Sequence, residues 1–242
     1  MSMLKTLGRL VPDPIVGVFH RPSVRYSNHF FAMQRLFGYT ARELLLFNAL
    51  QFVSMNRVPG DYLEFGVFEG ANFVPAYHLA QTLGLHSMRF HAFDSFDGLP
   101  AIDGVDADGF RHFHEGEFRS SIDTFKHNVA SKGVDNAKLT VTAGWFDRVL
   151  NEQTRQSLAI DKAAVVFIDC DLYESTVPIL EFITEYVQEG TVIIFDDWFC
   201  FRGNPDRGEQ RAFREWLEKH PHIKATELFR FGWQHNSFVL HG

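Results

Sequence analysis

Between residues 61 and 197, short apolar runs alternate with stretches in which apolar residues recur at helical spacing. The runs cover 62–68, 88–93, 138–143, 163–168 and 191–195. A strand that is apolar along its length is covered on both faces. Strands of that kind separated by helices belong to a parallel sheet sandwiched between helical layers. The intervening stretches 71–83 and 120–131 read as helices, as does the segment in which Tyr173, Val177, Leu180, Ile183 and Val187 recur at helical spacing.

The ends of the chain differ from this middle. Thr40-Ala41-Arg42-Glu43 reads as a capping box that opens a helix, and apolar residues follow from Leu44 through Phe52. Pro59-Gly60 should stop that helix. Residues 1–60 therefore precede the first strand as a helical extension, a lid or a subunit contact, and 61–242 form the main domain. After 198, Phe213, Trp216 and Leu217 mark a helix ending near Pro221. Two further strands, 225–231 and 237–240, are joined by Gly232-Trp233-Gln234-His235-Asn236. No helix fits between them, so they should pair as an antiparallel hairpin. Five parallel strands and the hairpin make a doubly wound, seven-stranded, mostly parallel α/β sheet.

Composition narrows the function classes. The 242 residues are 45% hydrophobic with a formal net charge of −7, enough for one sizeable core and without a basic stripe for nucleic acid. No window approaches the ~20 apolar residues of a membrane span, and residues 1–10 lack a signal core, so the expected location is cytoplasmic. Cys170 and Cys200 sit among strand-like residues outside any CxxC pair and read as buried reduced thiols.

Chemistry is expected at the carboxyl ends of the strands, where sheets of this kind bind ligands. Glu64-Phe65-Gly66-Val67-Phe68-Glu69-Gly70 closes the first strand and opens a helix. It is a candidate nucleoside-cofactor loop, with Gly66 and Gly70 permitting close backbone approach, Phe68 between them and Glu64 placed for a cationic amine. It is not the dinucleotide fingerprint GxGxxG, and a plain glycine-rich turn is the competing reading. Asp94, in Phe93-Asp94-Ser95-Phe96-Asp97-Gly98-Leu99-Pro100, ends the second strand and can accept hydrogen bonds from ribose hydroxyls. A turn aspartate is the alternative. Gly144-Trp145 ends the third strand and can hold an adenine ring or serve packing.

Phe167-Ile168-Asp169-Cys170-Asp171 and Phe195-Asp196-Asp197-Trp198 end two further strands. Neighbouring strands lie ~4.8 Å apart. Asp169 and Asp171 share a face if strand geometry continues, and the chain must turn for Asp196 and Asp197 to converge. Carboxylates gathered in this way repel unless a cation sits among them, and an all-oxygen set suits Mg²⁺. Helix capping is the other use for such residues. The 98–118 stretch is long for a connection and fits a lid or substrate loop. His112 and His114 within it, like Trp233 and His235 in the last turn, read as solvated loop residues or as further site groups.

Together these motifs resemble the macrocin O-methyltransferase family, Mg²⁺-dependent enzymes that methylate deoxysugar hydroxyls on antibiotics. The resemblance runs from about Gly60 to Trp198. It is carried by Pro59-Gly60-Asp61, Glu64 with Gly66-Val67, the Phe93 to Pro100 motif, Asp169 and Asp171 followed by Leu172-Tyr173, Ser175-Thr176, and Phe195-Asp196-Asp197-Trp198. Phe68 departs from the family's tryptophan.

The resemblance implies a class I methyltransferase fold using S-adenosylmethionine and Mg²⁺. It implies metal ligands at Asp169, Asp196 and Asp197, a general base at Asp171, and cofactor contacts at Glu64, Gly66, Asp94 and Ser95. It also implies a small-molecule acceptor bearing a sugar hydroxyl and a homo-oligomer, a dimer or larger. A catechol-type acceptor, or a metal-dependent hydrolase or hydroxylase on the same fold, remains open.

Overall fold

The computed structural model describes residues 40–107 and 113–242. Most of the expected N-terminal extension, residues 1–39, and His112 lie outside the described residues. The chain divides into two units, with the boundary after Leu44.

In the first unit, Thr40 N–H donates to Glu43 Oε2 at 2.5 Å and Glu43 N–H to Thr40 Oγ1 at 3.1 Å. This is the expected capping box, and it opens helix α1, Ala41–Asn56.

Strand β1 is Asp61–Phe65 and helix α2 is Phe73–Thr82. Strand β2, Phe90–Asp94, is followed by helix α3, Ile122–Ser131, whose first turn is capped by the Ser121 hydroxyl accepting Thr124 N–H. Strand β3 is Leu139–Ala143. Two short helices, α4 (Phe146–Val149) and α5 (Glu152–Ser157), lead to β4, Ala163–Ile168. Helix α6 (Tyr173–Ile183), strand β5 (Val192–Phe195) and helix α7 (Gly208–Lys219) follow. The chain closes with β6, Lys224–Phe231, and β7, His235–His241.

The sheet has seven strands in the order β3-β2-β1-β4-β5-β7-β6. The first five are parallel, and β7 is antiparallel to both β5 and β6. Alternate residues of the central strands feed two cores. Tyr62, Phe90, Ala92, Val165, Phe167, Val192 and Ile194 pack with Leu45, Leu50 and Val53 of α1, Phe73 of α2 and Phe125 of α3. Leu63, Phe65, Phe93, Val166, Ile168, Ile193 and Phe195 pack with Leu180 and Phe182 of α6 and Phe213 and Trp216 of α7. Much of the abundant phenylalanine is spent here, for example in the Phe65–Phe93 stack at 4.5 Å between ring centres.

Strand β1 is shorter than the 62–68 run suggests. Gly66 (φ +87°) and Phe68 (φ +45°) turn the chain out of the sheet although the sequence stays apolar. The last connection is shorter than expected, since His235 and Asn236 already belong to β7. Among the described residues, no helix is long and apolar enough to cross a membrane.

Candidate active site at the carboxyl ends of the strands

Strand order reverses between β1 and β4, whose crossovers leave in opposite directions and open a crevice above the sheet. The sheet's own ladder places residues along that edge. The residue just past each of four strands donates its N–H to the neighbouring strand: Gly66 to Phe93 O, Gly144 to Asp94 O, Asp169 to Phe65 O and Asp196 to Ile168 O, all at 2.8–2.9 Å. Backbone pairing thus sets Gly66, Asp169 and Asp196 side by side.

Asp169, Asp196 and Asp197 offer carboxylate oxygens that lie within 4.8 Å of one another. Asp196 is fully buried and Asp197 nearly so. The chain does turn after β5, which is how two consecutive aspartates reach one point. The pleat argument for Asp169 and Asp171 needs correction, because β4 ends at Ile168 and Asp171 takes φ +66°. That turn still leaves Asp171 buried beside the cluster. Burial, then the charges of Asp169 and Asp196, push the Asp171 carboxyl well above the usual range, partly opposed by a hydrogen bond with Asp197.

Three surrounding residues, Asn72, Gln234 and Glu209, escape sequence inspection, which leaves a fourth, His235, open between loop and site. Asn72, which precedes α2, caps nothing with its side chain and instead donates from Nδ2 to Asp169 Oδ2 at 3.1 Å. Gln234 donates from Nε2 to Asp196 Oδ2 at 3.1 Å and Asp197 Oδ1 at 3.4 Å. His235 is buried, not solvated as a loop residue would be: Nδ1 lies 2.8 Å from the Asp196 carbonyl oxygen and 3.1 Å from its Oδ1. Glu209, in the first turn of α7, accepts Asp197 N–H on Oε2 at 3.0 Å, while its Oε1 has no hydrogen-bond partner among the described residues. Burial, then Asp197, Asp196, Asp169 and Asp171, raise the Glu209 carboxyl well above its ordinary value. So many acidic groups in so little water carry a large like-charge cost that a hard dication relieves. The donor set fits such an ion: three carboxylates, two of them buried, with neutral donors behind them.

Beside this cluster lies the glycine loop. Asp94 accepts N–H groups from Val67 and Phe68 on Oδ2 at 2.8 and 2.9 Å, and from Phe96 on Oδ1 at 2.7 Å. A carboxylate has roughly four acceptor positions, so Asp94 fastens the loop and keeps capacity on Oδ1 for one further donor. Ser95 Oγ ties the next turn, donating to Gly98 O and accepting Asp97 N–H, both at 3.0 Å. Glu64 is fully buried, and its Oε2 accepts the Tyr62 hydroxyl at 2.5 Å. Phe68 is exposed and meets Phe118 edge to face at 6.3 Å. A Cβ on Gly66 would stand 1.7 Å from Asp169 O, and one on Gly70 3.2 Å from Val129 Cγ1. Gly66 is therefore required by close approach of the protein's own β4 turn, whatever the loop binds. Gly144 (φ +137°) and half-buried Trp145 turn the chain from β3 into α4.

The long connection after β2 is tied at its feet. Leu99 N–H donates to Glu117 O and Gly116 N–H to Leu99 O, both at 2.9 Å. Its Asp106 accepts N–H from Tyr173 and Glu174 at the start of α6. Ile102 and Phe113 pack against Leu172, Cys200 and Phe201, next to the acidic cluster. His114 is exposed, as is Trp233 at 65%.

Known proteins resemble this chain in sequence and in fold. A family model for macrocin O-methyltransferases matches residues 38–224. A tetracenomycin-type 4'-O-methyltransferase of Streptomyces olivaceus, named for a dimethoxy-rhamnosyl substrate, is 28% identical over 153 residues, 62% of this chain and 57% of that protein. Demethyldecarbamoylnovobiocin O-methyltransferase of Streptomyces niveus is 28% identical over 150 residues, covering 59% and 54% respectively. The chain thus matches little more than half the length of these curated relatives. The O-methyltransferase NovP shares the fold at a TM-score of 0.69 and 23% identity, over 82% of this chain and 79% of that one.

Proposed function

Because the chain belongs to the macrocin O-methyltransferase family, we propose that it transfers a methyl group from S-adenosylmethionine to a hydroxyl of a small molecule, with Mg²⁺ assistance. The acceptor in this reading is a sugar of a glycosylated natural product or glycan, supported by the rhamnosyl substrate in the name of one relative. The observation that carries the reading is the convergence of Asp169, Asp196 and Asp197 beside the loop at 66–70.

Those three aspartates would hold the cation, which would supply positive charge favouring ionisation of an adjacent hydroxyl. Asp171, buried next to Asp169, takes the hydroxyl proton on its carboxylate. Gly66, Phe68, Gly70, Asp94, Ser95, Gly144 and Trp145 line the nucleoside side, and buried Glu64 fixes the charge beneath it. The remaining contribution is alignment of donor and acceptor, where approximation alone supplies ~7–11 kcal/mol.

Calorimetry with S-adenosylmethionine, with and without Mg²⁺, tests this together with Asp196→Asn. The expected result is saturable cofactor binding, none for NAD, and an Asp196→Asn protein that binds cofactor but neither binds the cation nor turns over. Full turnover by that variant in EDTA would sink the metal role.

A further inference from the structure

The turn between β6 and β7 lies beyond the segment 38–224 that the family model matches, so family membership assigns it nothing. Gln234 of that turn and His235, the first residue of β7, nevertheless reach the acidic cluster. The Gln234 amide donates to carboxylate oxygens of both Asp196 and Asp197. Its own carbonyl is fixed, since Gln234 O accepts Phe199 N–H at 2.9 Å. His235 approaches the carbonyl oxygen of Asp196 with Nδ1, and a carbonyl only accepts, so Nδ1 carries the proton. The same nitrogen lies 3.1 Å from Asp196 Oδ1. His235 is held in place by β7, which pairs with β5 through Phe195↔Asn236.

We infer that the terminal hairpin is a clamp on the cation site: Gln234 and His235 are positioning residues that fix the Asp196 and Asp197 carboxylates in the orientation that binds metal. A carboxylate can rotate about its side-chain bonds unless its oxygens are held by hydrogen bonds. Donors bonded to its oxygens remove that freedom and leave the remaining lone pairs for the cation. Groups that hold metal ligands in this way tune metal affinity about 10–100-fold when removed. The inference rests on the cation reading proposed above.

The test uses the full chain and Mn²⁺ as probe, with binding followed by electron paramagnetic resonance of the free ion, without cofactor or acceptor. Gln234→Met keeps the length and bulk of the side chain and removes the amide. It is expected to weaken Mn²⁺ binding about 10–100-fold, leaving the thermal midpoint in EDTA and cofactor affinity in EDTA unchanged. A merely structural turn residue would move the midpoint and not the metal affinity. Unaltered Mn²⁺ affinity in Gln234→Met overturns the clamp and leaves the cation site standing. Failure of the unaltered protein to bind Mn²⁺ overturns the cation reading itself, and the clamp with it. Should Gln234→Met not fold, the His235 pair decides: His235→Ala is expected to weaken Mn²⁺ binding, and His235→Asn, which keeps a donor near the Nδ1 position, to restore it. Equal affinity in His235→Ala and the unaltered protein overturns the clamp.

Discussion

Replacing Gly66 with alanine probes the contact that brings the first and fourth strand ends together. Two costs can be separated. The residue sits at φ +87°, where an L side chain costs about 1–2 kcal/mol. The new Cβ would also stand 1.7 Å from Asp169 O and 2.8 Å from its carbonyl carbon, both backbone atoms that no rotamer change can move aside. Overpacking of this kind adds about 1–3 kcal/mol. The total is about 2–5 kcal/mol, which for a domain of this size lowers the thermal midpoint by about 4–20 °C.

Gly84→Ala is the control. Gly84 has φ +80°, yet nothing lies within 4 Å of its would-be Cβ, so it should pay only the backbone cost. Thermal unfolding followed by circular dichroism compares the two. Gly66→Ala should be the less stable by the overpacking cost. It should also bind Mn²⁺ more weakly while folded, because relief of the clash displaces Asp169. Equal midpoints for the two variants would refute the close-approach argument.

Two other outcomes are expected. Burial alone would raise the Asp61 carboxyl, but hydrogen bonds from His91 and Arg89 outweigh it and hold it below the usual range. Such a group adds stability above the unfolded value of about 3.9, lost as pH falls through the lower folded value. Asp61→Asn should therefore cost about 3 kcal/mol at neutral pH, the low end for a broken buried pair because Arg89 retains water contact, and less in acid. Urea titrations across that range check it; a penalty independent of pH would contradict the assignment. Cys170 and Cys200 are buried, and burial followed by nearby carboxylates pushes both thiols up. An aromatic disulfide reagent should modify them only after denaturation, and rapid labelling of the native protein would show the reasoning wrong.

The sequence was most legible where one force dominated. Strand β4 has the bounds its apolar run suggested, because both faces are buried and nothing else competes for those residues. Strand β1 was overread by three residues: Val67 and Phe68 are apolar, but positive φ at Gly66 and Phe68 ends the ladder, and hydrophobicity does not register a turn. Helices α4 and α5 are too short to show a period and were missed. At the site, the aspartates could be read because they fall at or within three residues of strand ends. Asn72, Glu209 and Gln234 could not, and His235 stayed undecided, because their roles depend on which elements the fold brings together. Gln234 and His235 reach Asp196 from 38 and 39 residues away. Glu209 looks like an ordinary acidic residue in the first turn of a helix, where the dipole alone would justify it.

The tied feet of the connection after β2 have a consequence for how such a protein can change. Leu99, Gly116 and Glu117 fasten its base, and Asp106 within the span is pinned separately by the two N–H groups that open α6. Doubling the length of a flexible loop adds only about 0.6 kcal/mol of closure entropy. Insertions between Asp106 and Phe113 are therefore cheap for the fold and leave these contacts in place. On the reading of this connection as a substrate loop, a chimaera carrying another chain's segment between the same contacts should keep its cofactor affinity while changing its acceptor.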